Sequence, residues 1–174
     1  DLAHLSAGVL VFDAAQRLRT ANASASAILG LDATSLIGQP SAQWAGVDVS
    51  LQTLGREIVS RFEGSGNAEW EAQIVRETQT GEQQLLLRGK PLPDDVEGGH
   101  VVVFDDVTHV LQAQRDAAWA EVARRLAHEI KNPLTPIQLS AERLQVKLAE
   151  KLDGPDAAML DRSTQTIVNQ VNAL

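Results

Sequence analysis

The 174-residue chain contains no cysteine. It therefore has no disulfide, no thiolate metal ligand and no cysteine nucleophile, and its redox compartment cannot be read from the sequence. Tyrosine is also absent, and aromatic residues make up only 3% of the chain, so the core must be built from Leu, Val, Ile and Ala. No apolar run approaches the roughly 20 residues that a membrane-spanning helix needs, and no signal peptide is visible.

Positive charge is scarce. The formal net charge is −8, which argues against nucleic acid as a partner because phosphate contacts need a basic face. Hydrophobic residues make up 44% of the chain, enough for a packed core, so wholesale disorder is excluded. The chain begins at Asp1 without a methionine and stops within a helical pattern at Leu174, so we expect an excised fragment.

Up to about Asp106, short β-rich runs alternate with turns. Asn22 stands where it can cap a helix of small residues after two strands. We predict strands over 8–13 and 17–21, helices over 23–29 and 50–62, and strands over 68–78, 83–91 and 99–105. This order predicts an α+β fold whose five-stranded antiparallel sheet has its helices between the second and third strands.

After Asp106 the pattern is helical. The segment from about Thr108 to about Leu152 has no glycine, and as one helix it would be roughly 65 Å long, which is typical of a coiled coil or bundle. A turn with Pro155 at a first helical position leads into a second helix. Its apolar seam is Leu160, Thr164, Ile167, Val171 and Leu174. A hairpin alone cannot bury the apolar stripes of both helices, so we predict a dimeric four-helix bundle.

His128 lies on the polar side of the long helix. At about 100° per residue, a set of apolar side chains falls within a narrow arc, and His128 lies about 180° from its centre. We therefore expect His128 to project into solvent, where a large partner can reach it. The arc consists of Trp119, Val122, Leu126, Ile130, Leu134, Ile137, Ala141, Leu144 and Leu148.

The neighbours of His128 suggest a histidine that carries a phosphoryl group. The Glu129 carboxylate can accept a hydrogen bond from Nδ1–H, which leaves Nε2 as nucleophile and makes Glu129 the general base in attack on the γ-phosphate of ATP. Asn132, one turn further on, can orient water or a phosphate oxygen. Pro133 and Pro136 each remove a helical hydrogen bond, so we expect a helix hinge there, although a static kink is the alternative.

Two aliphatic residues, Leu139 and Val146, fall on the same polar face below His128, with Arg143 beside them. Apolar side chains on a polar face are typical of a docking patch. We therefore interpret these three residues as a partner docking surface, against the alternative of scattered exposed aliphatics.

The segment His-Glu-Ile-Lys-Asn-Pro-Leu, residues 128–134, resembles the H-box of sensor histidine kinases with a HisKA-type dimerisation and phosphoacceptor domain. The longer string 119–139 is similar to nitrogen-regulation sensor kinases of the NtrY type. The resemblance implies that His128 is the phosphoacceptor and Glu129 its acid/base neighbour. It also implies that Glu129 and Asn132 support dephosphorylation of a partner response regulator.

The same resemblance implies partners and cofactors. The homodimer would work with its own ATP-binding domain and with the receiver domain of a response regulator, and no nucleic acid or membrane would touch this fragment. No asparagine-bearing helix or glycine-rich nucleotide lid follows Leu174, so we expect ATP and Mg²⁺ to be bound only by an absent catalytic domain. We expect a cytoplasmic portion of an inner-membrane kinase, inactive by itself.

The first hundred residues resemble a PAS sensor domain, and Asp106-Val107-Thr108 matches the signature where the last strand leads into the signalling helix. Thr108 can cap that helix. The Asp106 carboxylate is stabilised by the positive N-terminal end of the helix and can bind an Arg or Lys side chain. This signal junction would transmit distortions of the sheet. We expect a PAS domain over 1–106, a linker helix over 107–120 and a truncated phosphotransfer hairpin over 121–174.

The PAS ligand is unknown from the sequence. Without cysteine a flavin-thiol photosensor is excluded, and scattered His4, His100 and His109 argue against haem. We expect no cofactor-binding or metal site, because a metal-binding helix is disfavoured where His128 has no second histidine one turn away. A non-catalytic dimeric scaffold that senses and docks partners is the alternative function.

Overall fold

The computed structural model describes residues 7–93 and 98–174, so His4 lies outside the described residues. The chain divides into two compact units, Asp1–Ala113 and Gln114–Leu174.

The elements of the first unit are β1 (Gly8–Asp13), β2 (Leu18–Ala21), α1 (Ala23–Leu29), α2 (Gln52–Gly64), β3 (Trp70–Thr78), β4 (Gly81–Pro91) and β5 (Gly99–Asp106). The five strands form one antiparallel sheet in the order β2-β1-β5-β4-β3. The predicted α+β class and element order are confirmed. Three short 3-10 turns between α1 and α2 were not predicted, because turns of three to six residues carry no readable period. They are Ala33–Leu36, Ser41–Gly46 and Val49–Leu51.

The core lies on one face of the sheet, beneath the helices. Side chains alternate along β3 between buried and exposed, as a strand with one solvated face requires. Few aromatics are present, but three of them meet there: the Phe12 ring lies 5.9 Å from Trp44 and 5.1 Å from Phe62, between ring centroids. The rest of the core is largely aliphatic, as the composition predicted.

Asn22 fixes the start of α1 against β1. Its Oδ1 accepts hydrogen bonds from the backbone N–H groups of Ala25 and Val9, both at 2.9 Å, and its Nδ2 donates to the Ala7 carbonyl. The predicted cap is thus confirmed, and the same side chain also satisfies the strand.

The second unit is a helical hairpin. The helix α3 (Thr108–Leu148) begins in the first unit and continues into the second, and α4 (Gly154–Asn172) follows a short turn. The two helices lie side by side and antiparallel, as contacts at both ends show. Near the turn, Gln145 donates a hydrogen bond to Asp161 at 2.9 Å, and at the far end Val171 and Leu126 line one groove. Ala141 and Thr164, both small, are the buried residues of this pair.

Most of the predicted apolar stripe on α3 is open to solvent in the single chain. Trp119 is 66% exposed and Ile137 48%, whereas only Ala141 is buried. The reason is that α4 alone covers only part of the stripe. None of the helices within the described residues combines the length and apolarity needed to cross a bilayer.

Gly89 in β4 tests how tightly the sheet packs. A Cβ there would collide with the indole of Trp70 on the neighbouring strand, and a rigid ring cannot give way as a flexible side chain would. We expect Gly89→Ala to lower the free energy of unfolding by roughly 1–3 kcal/mol, the usual cost of overpacking. Urea denaturation followed by circular dichroism measures this change.

Gly64→Ala is the matched control, because a Cβ at Gly64 meets nothing within 4 Å. Its free energy of unfolding should stay within about 0.5 kcal/mol of the unsubstituted chain. Equal stabilities of the two variants would contradict the packing of Trp70 across Gly89.

Candidate functional site

His128 lies on α3 within the second unit, and its side chain is exposed, as are those of Glu129 and Asn132. Ile137, a member of the apolar stripe, is nine residues further on and therefore about 180° round the helix. The helix thus presents the imidazole on the face away from its apolar side chains.

The imidazole of His128 is not held by the protein. In residues 7–93 and 98–174 it forms no hydrogen bond and no ion pair, so it is not a satisfied structural histidine. The hydrogen bond that we expected between Glu129 and Nδ1–H is not formed in this conformation. The physical reason is that neighbouring side chains on a helix diverge by about 100° and do not face each other.

The two prolines lie inside an unbroken helix. Because Pro133 and Pro136 have no N–H, the carbonyls of Glu129 and Asn132 lose their usual helical donors. Between them, the Thr135 hydroxyl donates to the Lys131 carbonyl at 3.1 Å. The structure thus places a stretch with fewer backbone hydrogen bonds directly beyond His128, where we expected the hinge.

Leu139, Arg143 and Val146 share one shallow groove, which Glu142 and Lys147 complete. Leu139 is 56% exposed and Val146 76%. At about 100° per residue, both point within about 20° of His128. The structure therefore brings the three predicted docking residues together on the histidine side of the helix.

The junction residues Asp106 and Thr108 are joined directly. The Asp106 Oδ1 accepts from the Thr108 N–H at 3.0 Å and from its hydroxyl at 2.5 Å. The hydroxyl also accepts from the Gln84 N–H at 2.9 Å. Thr108 is the first residue of α3, and the cap that we expected from its side chain is supplied by Asp106, which receives the Thr108 N–H.

Asp106 is held by an amide where we expected a basic side chain. Its Oδ2 accepts from Gln83 Nε2 at 2.9 Å. Partial burial acts to raise the pKa of Asp106, but the hydrogen bonds from Thr108 and Gln83 outweigh it, so the pKa lies below its usual value.

Arg76 and Gln83 are the residues of this site that sequence reasoning missed. Arg76 is only 3% exposed, and its Nη1 donates to Gln83 Oε1 at 2.7 Å. Burial lowers the pKa of Arg76, and nearby Asp48 opposes this shift. The sequence did contain a signal for Arg76. It continues the two-residue alternation of Trp70, Ala72 and Ile74, which places a charged residue on the apolar face of β3.

The two described histidines of the first unit lie on different elements. The His100 ring stacks on Phe62 with 4.4 Å between centroids, and its Nδ1 is buried without a partner in the described part of the chain. Burial lowers the pKa of His100, and the backbone of Gly66 acts on this pKa in the opposite direction. His109 is exposed in the first turn of α3. Among the described residues, no group of three or more His, Asp or Glu could hold a metal ion.

Two family matches divide the chain. Residues 2–115 match the family described as the PAS fold, and residues 118–174 match the His Kinase A (phospho-acceptor) domain. The PAS domain of BvgS from Bordetella pertussis has the same fold. It superposes with a TM-score of 0.50 at 15% identity, over 67% of this chain and 90% of that domain.

Two relatives align with both parts of the chain. Nitrogen regulation protein NtrY of Azorhizobium caulinodans is 36% identical over 170 residues, which are 98% of this chain and 21% of NtrY. Sensory histidine kinase/phosphatase NtrB of Salmonella typhimurium is 27% identical over 170 residues, covering 95% of this chain and 46% of NtrB. This chain therefore spans about a fifth of one relative and less than half of the other.

These matches confirm the resemblances that the H-box and the Asp-Val-Thr junction suggested. The chain therefore belongs to the PAS family and, through its second unit, to the HisKA phosphoacceptor family, in the arrangement of NtrY-like sensor histidine kinases.

Proposed function

We propose that this chain is the sensing and phosphoacceptor portion of a two-component kinase. The observation that carries the proposal is His128, which stands exposed and unbonded opposite an apolar stripe, inside the HisKA match. Its Nε2 attacks the γ-phosphorus of ATP, the bond to the ADP oxygen breaks, and ADP leaves. An aspartate oxygen of a receiver domain then attacks the phosphorus, and the N–P bond breaks.

ATP and Mg²⁺ belong to a catalytic domain that residues 1–174 do not supply. The Mg²⁺-bound nucleotide provides the phosphoryl group. Within this chain, the Glu129 side chain rotates towards the ring and accepts a hydrogen bond from Nδ1–H, which keeps the Nε2 lone pair free to attack. As the N–P bond forms, the Nδ1 proton passes to the Glu129 carboxylate. Asn132, about 40° round the helix from His128, positions water for dephosphorylation of the receiver.

A second copy of the chain covers the open apolar stripe. The hairpin alone leaves residues such as Trp119 and Ile137 in solvent, and such a surface is stable only when paired. The homodimer buries these stripes and leaves both His128 side chains outside. We also expect the whole protein to be an inner-membrane kinase with this portion in the cytoplasm, which stays a prediction.

The groove of Leu139, Arg143 and Val146 receives the receiver domain. It lies on the histidine side of α3, and its aliphatic centre with a basic and acidic rim suits a protein surface. The junction at Asp106 and Thr108 passes changes in the PAS sheet into α3, and the proline segment lets the helix bend beneath His128.

Phosphorylation in trans tests the proposed acceptor. The chain is mixed with a catalytic domain from a complete NtrY-like kinase and radiolabelled ATP. We expect acid-labile label on the chain and its loss in His128→Gln, because the nucleophile is removed. Glu129→Gln should slow labelling by about 10²-fold or more, the usual contribution of a general base. Asn132→Ala should keep labelling but slow receiver dephosphorylation.

His109→Gln is the control, since His109 is an exposed histidine on the same helix. It should be labelled like the unsubstituted chain. Undiminished labelling of His128→Gln would overturn the assignment. Signalling in cells that survives His128→Ala would favour the dimeric scaffold.

Receiver docking is tested separately with Leu139→Glu and Val146→Glu. A carboxylate in the aliphatic centre of the groove should slow transfer from phosphorylated chain to receiver by about tenfold, with labelling of His128 unchanged. The decay of the labelled chain after mixing with receiver measures this rate.

Val49→Glu provides the matched control for the docking test. Val49 is 76% exposed, as is Val146, but it lies in the first unit. Its transfer rate should not change. Transfer at the original rate in both groove variants would show that this surface is not the docking site.

A further inference from the structure

Arg76 is a buried cation that makes its direct contacts with neutral groups, although the Asp48 carboxylate is near enough to act on its pKa. Its guanidinium forms four hydrogen bonds: Nε to the Ser50 carbonyl at 3.0 Å, Nη1 to Gln83 Oε1 at 2.7 Å, and Nη2 to the Leu29 carbonyl at 2.8 Å and the Ser50 hydroxyl at 2.9 Å. No ion pair to it occurs within the described ranges. Buried charges are normally in direct contact with an opposite charge, so a guanidinium held only by neutral acceptors needs an explanation.

The Gln83 amide connects this cation to an anion. Its Oε1 accepts from Arg76, while its Nε2 donates to Asp106 Oδ2 and to the Ile28 carbonyl, both at 2.9 Å. Reversing the amide would place its NH₂ against the guanidinium and its oxygen against the carboxylate. Both contacts would then be repulsive, so the amide has one favourable orientation, with a charge-assisted bond at each end.

The connected groups come from distant parts of the sequence. Arg76 and Gln83 face each other across β3 and β4, while Ile28 and Leu29 form the C-terminal end of α1. At the other side, Asp106 receives the first N–H of α3. A continuous set of hydrogen bonds therefore runs from the helical side of the PAS unit to the start of α3.

We propose that Arg76 and Gln83 are positioning residues of the junction, which hold Asp106, and with it the first turn of α3, in place against α1 and Ser50. This role deepens the proposed function, on which it rests for its signalling meaning. A displacement of the end of α1 or of Ser50 is then transmitted to α3 through the side-chain amide of Gln83.

Gln83→Glu tests the relay, because the new carboxylate still accepts from Arg76 but repels Asp106 and the Ile28 carbonyl. We expect the backbone amides of Thr108 and Leu111 to exchange with deuterium about tenfold faster, because the local opening of the first turn becomes easier. Backbone amides in β3 should keep their exchange rates, since Arg76 keeps its hydrogen bond to the side chain at position 83. Amide-resolved NMR of the 174-residue chain measures both.

The double variant Gln83→Glu/Asp106→Asn supplies the rescue. The new amide at position 106 can donate to the carboxylate at position 83 and still accept from Thr108. Exchange at Thr108 and Leu111 should return to within about threefold of the original rate. A merely structural loss at position 83 would not be repaired by a second substitution.

Gln43→Glu is the matched control, because the same charge change falls on an exposed residue of the first unit. It should leave exchange at Thr108 unchanged. The relay is refuted if Gln83→Glu behaves like Gln43→Glu, or if the double variant exchanges as fast as Gln83→Glu. These rates do not depend on phosphorylation, so failure of His128 labelling would leave this result standing, and the reverse also holds.

Discussion

The apolar stripe along α3 is the constraint on which the rest of the second unit depends. A hairpin of two helices has one contact line, and in the single chain that line buries little beyond Ala141 and Thr164. The remaining aliphatic side chains need another surface. Because the stripe fixes which side of α3 faces inward, it also fixes which side stays outside, and His128, Leu139 and Val146 lie there together.

A second constraint is the direct connection between the sheet and the long helix. The helix that carries His128 starts at Thr108, directly after β5, so its first turn is part of the sheet's hydrogen bonding. The same helix then continues without a break into the second unit. The stretch at Pro133 and Pro136, with fewer backbone hydrogen bonds, is where such a helix can most easily bend.

Much of the fold could be predicted from the sequence, because the patterns that specify its strands and helices are local. The alternation in β3, the cap at Asn22 and the missing glycines of α3 each act within a few residues. The contact of Gln83 with Arg76 was missed because it depends on strand register: the two residues face each other only once Thr78 is known to pair with Gly81. The expected Glu129–His128 hydrogen bond was not found, because adjacent helical side chains diverge.

The absence of cysteine makes the central claim easy to test by disulfide cross-linking. Single cysteines are introduced as Ile137→Cys, on the stripe, and Leu139→Cys, on the histidine face, and each chain is mildly oxidised. If α3 pairs through the stripe and turns His128 outward, Ile137→Cys forms a covalent dimer and Leu139→Cys stays monomeric under denaturing electrophoresis. Cross-linking through Leu139→Cys, with none through Ile137→Cys, would contradict the account.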